Sequence, residues 1–333
     1  MSGPILAIET SCDDSCAAVV GDDGTILSNI ISAQGIHDRY GGVVPEIAAR
    51  HHLQLLQPAV DGALAAASLE LGDVSRIAVT QGPGLIGALL VGIAHAKALS
   101  AATGIPLVAV DHIQGHVAAN FVAPEPFEPP FICLVASGGH TLVARVEDHH
   151  SFETLGQTLD DAAGEAFDKG ARMLGLPFPG GPALQKLAED GDPSAFDFPT
   201  ARNVRGLDFS FAGVKTSLLY AIRDLGEDGS RAARADLAAS YQRAIVEALV
   251  IRVDRALEES GLDRVAIGGG VAANGPLRER IEALGVVTHI PQLALCTDNA
   301  AMIASAARFL PDCDHRQALS LEAYASGEVA RVR

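Results

Sequence analysis

A chain of 333 residues with 48% hydrophobic content and a mean hydropathy of +0.24 carries enough apolar mass for two ordinary cores. Its 24 Lys and Arg against 41 Asp and Glu give a formal charge of −17, which opposes unassisted binding to a polyanion and reads as an acidic cytosolic enzyme. The five cysteines are odd in number and include no Cys-x-x-Cys pair, which argues against a disulfide framework or a zinc ribbon.

The chain opens on a predicted strand, Ile5 to Glu9, a polar turn from Thr10 to Ser15, a second strand, Cys16 to Val20, and an Asp23-Gly24 turn into Ile26 to Ile31. This is a β-meander. Glu9, Asp13 and Asp14 stand where a secretory leader needs a basic start and an uninterrupted apolar stretch, so a cytoplasmic protein is expected. Glu9 ends an apolar strand, and a carboxylate there needs a partner or a task.

Next, Ile77 to Thr80 leads through Gln81-Gly82-Pro83-Gly84 into a helical run. The stretch from Leu85 to Ala102 is the most apolar of the chain, but His95, Lys97, Gly87 and Gly92 interrupt it, which predicts a buried helix and no membrane span. After the strand Leu107 to Val110 comes Asp111-His112-Ile113-Gln114-Gly115-His116. With Ile113 onward helical, His112 and His116 stand one turn apart on one face, the spacing a metal needs from two imidazoles. For an isolated pair, a helix cap and a surface residue is the plainer reading. The proline-rich, acidic, aperiodic segment Ala123 to Pro130 places a domain boundary, giving halves 1–122 and 123–333.

The second half begins by repeating the first. Phe131 to Ala136, the turn Ser137-Gly138-Gly139-His140-Thr141 and Leu142 to Val146 form another hairpin, and its glycine turn offers close backbone approach. Asp161, Glu165 and Asp168 follow at helical spacing. A solvated helix start leaves unexplained both Gly164 within the helix and the rigid run Pro177 to Pro182, which suits gripping a ribose or an amino-acid portion. Gly191 to Gly206 reads as an irregular excursion. Val265 to Ile267, Gly268-Gly269-Gly270 and the helix from Leu277 match the earlier strand, glycine loop and helix, a unit whose free amides can hold an anion. Neither loop fits the P-loop or Gly-x-Gly-x-x-Gly pattern, which disfavours P-loop ATPases and dinucleotide enzymes. Asp298, just before the helical run Ala300 to Leu310, reads alone as an N-cap. Two histidines with one carboxylate would instead leave coordination positions free for substrate, as iron(II) or zinc sites do.

In this order the motifs resemble the TsaD family of tRNA threonylcarbamoyltransferases, once described as O-sialoglycoprotein endopeptidases. The likeness rests on Ile8-Glu9-Thr10-Ser11-Cys12-Asp13, Gly41 to Glu46, Gly82-Pro83-Gly84-Leu85, His112 with His116, Ser137 to Thr141 and Asp161 to Lys169. It continues through Pro179 to Pro182, Leu207 to Phe211, Gly269 to Asn274 and Cys296-Thr297-Asp298-Asn299, and so spans almost the whole chain. The resemblance implies two duplicated α/β domains of the ribonuclease-H-like type shared with actin, Hsp70 and sugar kinases, around a central cleft. It implies metal ligands at His112, His116 and Asp298, with iron(II) expected before zinc. Nucleotide and substrate contacts fall on Val135, Ala136, Ser137, Gly138, Gly139, Asp168, Gly181 and Asn274. Two positions depart from the family pattern: Asp111, where relatives often carry Asn or His, and Ala300, where Gly is usual.

The implied reaction is attack of an adenosine amine on threonylcarbamoyl-AMP, with tRNA as acceptor, and TsaB-like and TsaE-like subunits are the implied partners. Asp13 or Glu9 is the expected proton acceptor. Arg39, Arg50, Lys169, Arg172, Arg202, Arg205 and Lys215 are the candidate tRNA-facing cations. A metalloprotease is the poorer alternative, because Ile113 stands where His-Glu-x-x-His carries its base. An actin-like ATPase or kinase would share the glycine turns without needing the histidines.

Overall fold

The computed structural model describes residues 3–325. Contacts divide them into two compact units: the first holds the residues up to Pro129, Asp148–Ser151 and those from Thr297 onward, the second Pro130–Glu147 and Phe152–Cys296.

In chain order the first unit contains β1 (Ile5–Glu9), β2 (Asp14–Val20), β3 (Ile26–Ala33), α1 (Pro45–Ala66), β4 (Arg76–Gly82), α2 (Ile86–Thr103), β5 (Leu107–Asp111) and α3 (His112–Ala118). The second contains β6 (Phe131–Ala136), β7 (Thr141–Val146), β8 (Phe152–Gln157), α4 (Ala163–Met173), α5 (Gly180–Ala188), α6 (Ala212–Ala232), α7 (Arg234–Ser260), β9 (Arg264–Gly268), α8 (Gly275–Glu282), β10 (Val287–His289) and α9 (Leu293–Cys296). The chain then returns to the first unit as α10 (Ala300–Ala307) and α11 (His315–Ser320).

The two sheets have one topology. The first runs β3-β2-β1-β4-β5 and the second, read in the same sense, β8-β7-β6-β9-β10. In each, a hairpin meander is followed by two strands joined in parallel to its first strand. The meander is cheap to form because its turns are local; the parallel strands require helical crossovers, which α1 and α2 supply in the first unit. β1 and β6 are buried along their whole length, as central strands covered on both faces must be.

Three expectations shift in detail. The boundary at 122/123 lies near the observed crossing at Pro129, but the segment from Thr297 does not stay with the second half. Its helix α10 is alanine-rich and buried at every residue, and its small side chains let it lie against β1, β2 and α3. A methyl at Gly115 of α3 would stand 2.7 Å from Ile303 Cδ1, so the two helices approach closely there and a larger residue would make the Ile303 side chain shift. Second, α2 is long and apolar enough by composition to cross a membrane, yet it packs against β4 and α1. It is buried along one face only: Ala88, Leu89, Gly92, Ile93 and Ala96 face inward, while Ile86 and Leu90 are exposed. Third, Asp14 lies within β2, outside the turn expected to hold it.

The excursion from Gly191 to Gly206 lacks helix and strand. It is fastened from below by Arg252 of α7, fully buried, whose guanidinium donates to the carbonyls of Ala201 and, at 3.1 Å, Asp208.

Candidate functional site

In the first unit, β5 ends at Asp111, whose Oδ1 accepts the amides of Ile113 at 2.8 Å and Gln114 at 3.0 Å and so caps α3. The cap starts the helix at His112, and His116 follows one turn later on the same face. From the far end of the unit, Asp298 brings its Oδ1 to 3.6 Å from His112 Nε2 and 3.4 Å from His116 Nε2. The three donor atoms lie within 4.8 Å of one another, and the imidazoles meet edge to face with centroids 4.7 Å apart. Asp298 does not serve as the N-cap of α10; that role falls to Asn299, whose Oδ1 accepts Met302 N at 3.0 Å.

The surroundings fix which nitrogen faces inward. His112 Nδ1 lies 2.9 Å from Glu9 Oε2 and 3.2 Å from Ser11 Oγ, which leaves Nε2 directed at Asp298. Glu9 is fully buried; it also accepts Thr80 Oγ1 at 2.7 Å and the amide of Ser11. Burial works against charge on Glu9, but His112 overcomes it and holds the carboxyl below its ordinary range. His112 is pushed up to about 9: burial opposes protonation, and Glu9 and Asp298 outweigh it. His116 moves down, chiefly because it is buried. A buried imidazole with Nδ1 lacking a hydrogen-bond partner among the described residues, beside a second imidazole and a carboxylate, has the donor set of an N,N,O metal site. The carboxylate behind His112 is the outer partner such ligands usually have.

Asp13 and Asp14 are half-buried next to this cluster. Burial, then Asp13, Asp298 and Glu9, push the Asp14 carboxyl up to about 7. Glu9, a candidate proton acceptor on the sequence, has both carboxylate oxygens engaged in hydrogen bonds. Thr80 and Ser11 were not anticipated. The signal was available in the register: Ile8 pairs with Val79, so the polar residues ending β1 and β4 are neighbours.

In the second unit, Gly138, Asp168, Gly181 and Asn274 line one cavity of about 550 Å³. Val135 and Ala136 are buried within β6, Ser137 closes the turn through its amide to His140 O at 2.8 Å, and Gly139 is exposed. The start of α4 lies on this turn: Gly164 N donates to Ser137 O at 3.0 Å, and a methyl at Gly164 would stand 2.7 Å from that oxygen and 2.8 Å from Gly138 Cα. Asp168 Oδ1 accepts Gly180 N at 2.7 Å at the start of α5. Burial raises the Asp168 carboxyl despite the amides of Gly180 and Gly181. Asn274 is committed to Gln185 Oε1 at 2.8 Å, Gln242 Oε1 at 2.9 Å and Leu277 N at 3.0 Å. It therefore orients Gln185, a lining residue that the sequence did not single out, as were Phe167, Lys186 and Glu189. The wall is mostly glycine, proline and apolar carbon, with polar groups at a few points, as in sites for small molecules.

Residues 25–305 match the model of the TsaD family, tRNA N6-adenosine threonylcarbamoyltransferase. The chain belongs to that family. A tRNA N6-adenosine threonylcarbamoyltransferase of Clostridium botulinum strain 657 is 49% identical over 311 residues, covering 92% of each chain, and that of Clostridium perfringens strain SM101 agrees to the same extent. Among solved structures, component A of the (R)-2-hydroxyglutaryl-CoA dehydratase of Acidaminococcus fermentans gives a TM-score of 0.54 at 17% identity, over 96% of this chain and 99% of that one. T. kodakarensis HypF gives 0.62 at 17% identity, over 92% of this chain and 47% of its own. At such identities these are likenesses of fold, and the fold is the duplicated actin-like α/β type.

Of the candidate tRNA-facing cations, several are already paired: Arg50 with Glu46, Lys169 with Asp161 and Glu165, and Lys215 with Asp161. Arg39, Arg202 and Arg205 are exposed.

Proposed function

We propose that this member of the TsaD family transfers the threonylcarbamoyl group of threonylcarbamoyl-AMP to the N6 amine of the adenosine beside the anticodon, in tRNAs reading codons that begin with A. The convergence of His112, His116 and Asp298, with Glu9 behind the first histidine, carries the reading. A kinase or ATPase built on the same fold has no use for that cluster, and a protease would lack its base.

The amine nitrogen bonds to the carbonyl carbon, the bond from that carbon to the phosphate oxygen breaks, AMP departs, and the amine loses one proton. Asp13, next to the cluster and less enclosed than Glu9, is our candidate to take it. Glu9 keeps His112 in the tautomer that presents Nε2. His112, His116 and Asp298 would hold a divalent ion, iron(II) first and zinc second, which would supply Lewis-acid polarisation of the acyl group. The 550 Å³ cavity takes the adenylate, with Phe167, Val271 and the glycines on its faces and Asp168 and Gln185 at polar points. Val135, Ala136, Ser137 and Gly139 act through the backbone of the turn that carries Gly138.

Exposed Leu53 of α1 and Ile86 and Leu90 of α2 support a protein partner, for which a TsaB-like subunit is our assignment; a TsaE-like subunit and a cytoplasmic location complete the reading. The deciding assay incubates the chain, with and without both partners, with threonylcarbamoyl-AMP and unmodified tRNA, followed by nucleoside mass spectrometry. Wild type should form threonylcarbamoyladenosine and His112→Ala should not. Product from neither, with partners and metal present, would overturn the reading.

A further inference from the structure

The strand-end carboxylate Asp111 faces two ways. Its Oδ1 caps α3, the helix that carries both histidines, and its Oδ2 accepts a hydrogen bond from the hydroxyl of Tyr324, 213 residues later. The segment that delivers Tyr324 is tied down along its length. Lys97 Nζ donates to Leu319 O at 3.0 Å and Leu321 O at 2.6 Å, and Gln81 Nε2 donates to Glu322 O at 2.9 Å. Tyr324 N returns the contact to Gln81 O at 3.4 Å, and Leu321 and Ala323 pack on the first unit's core. Tyr324 also packs closely against Gly82: a methyl there would collide with its carbonyl oxygen and stand 2.9 Å from its ring.

We propose that Tyr324 is a positioning residue for the metal ligands, delivered by the strap from Leu319 to Tyr324, which sets the orientation of α3 through Asp111. The inference rests on reading His112, His116 and Asp298 as a metal site. An N-cap carboxylate fixes the first turn of a helix only as well as it is itself fixed. His112 is the first residue of that turn, so a freer Asp111 gives a freer His112 Nε2, and the second ligand one turn later moves with it. The strap ties the cap to β4 and α2, two elements packed against one another in the first unit.

The test is a Co²⁺ titration followed through the visible absorption of the bound ion, on the full chain as wild type, Tyr324→Phe, Lys97→Met and His112→Ala. Tyr324→Phe should bind Co²⁺ severalfold more weakly, less than the roughly tenfold contributed by a group bonded directly to a ligand because it acts through Asp111, with a shifted absorption band. Lys97→Met should move both readouts the same way by less, and AMP binding in the second unit should stay unchanged in both. If Tyr324→Phe is also less stable, the band position decides, because loss of folded protein lowers the amplitude without moving the band. Wild-type affinity and band in Tyr324→Phe would overturn the proposal. Wild-type Co²⁺ binding in His112→Ala would overturn the metal reading instead, and the two failures are distinct.

Discussion

The two units share a strand order and use the ends of equivalent strands in opposite ways. β1 ends at Glu9 and runs on into Thr10-Ser11, where the buried carboxylate holds His112 and is itself held by the Ser11 amide and the Thr80 hydroxyl. β6 ends in Ser137-Gly138-Gly139, where the turn offers little side chain and the neighbouring helix approaches so closely that Gly164 has no room for a methyl. The first site is made of titratable atoms and is sensitive to protons; the second is made of absent atoms and is sensitive to volume. A duplicated scaffold thus supports two chemistries because a strand end fixes where the next residues go without fixing what they are.

The sharpest way to break this comparison is to remove a ligand. His116→Ala should weaken Co²⁺ binding by at least about two orders of magnitude and leave AMP binding by the second unit unchanged, both read by calorimetry. Acid should act almost as strongly on the first site alone. His112 has its pKa raised from 6.5 to about 9, so below that pH metal must displace a proton from it. Affinity should fall about tenfold per pH unit from pH 8 to pH 6 and flatten above pH 9, with about one proton released on binding at pH 7. Titrations in buffers of different ionisation enthalpy read that proton directly. The same shift sets the sign for the metal-free protein: His112 protonation contributes stability that is full below its unfolded pKa and is lost as pH rises through about 9. The lowered Glu9 contributes stability that is lost as pH falls through its folded value.

Glu9→Gln retains an acceptor for Nδ1 but removes the charge, and metal affinity should drop by about tenfold; an unchanged pH profile in this variant would show that Glu9 does not set His112. The smallest effect belongs to the second unit. Gly164→Ala forces the turn and α4 apart by tenths of an ångström, costing about 1–3 kcal/mol. AMP binding should weaken severalfold while Co²⁺ affinity stays put, and linked losses would show that the two sites are not separable.

Much of this was legible in the sequence because it is local. The meanders follow from alternating apolar runs and turn residues, and the repeated strand, glycine loop and helix announced the duplication. The pair His112 and His116 follows from helical spacing. What escaped depends on segments meeting from far apart. Asp298 read alone is a cap, because nothing local says that Asn299 takes that duty, and it joins the two histidines as an expected ligand only through the family resemblance. The return of α10 to the first unit is invisible, since an alanine-rich helix suits any sheet with a shallow surface. Lys169 and Lys215 look like free cations until the fold brings both to Asp161, and the exposed face of α2 was hidden by a composition that is apolar on every side.

That return has a consequence in time. Cys16 Sγ reaches the Asp298 carbonyl across 282 residues of chain, and of the three residues proposed to hold the metal Asp298 is the last to be synthesised. While the ribosome is still making the second unit, the nascent first unit can display two imidazoles but cannot close the site. On the proposed metal reading, tight capture would have to wait for chains whose translation has passed α10, which would make loading a late event in the life of each molecule.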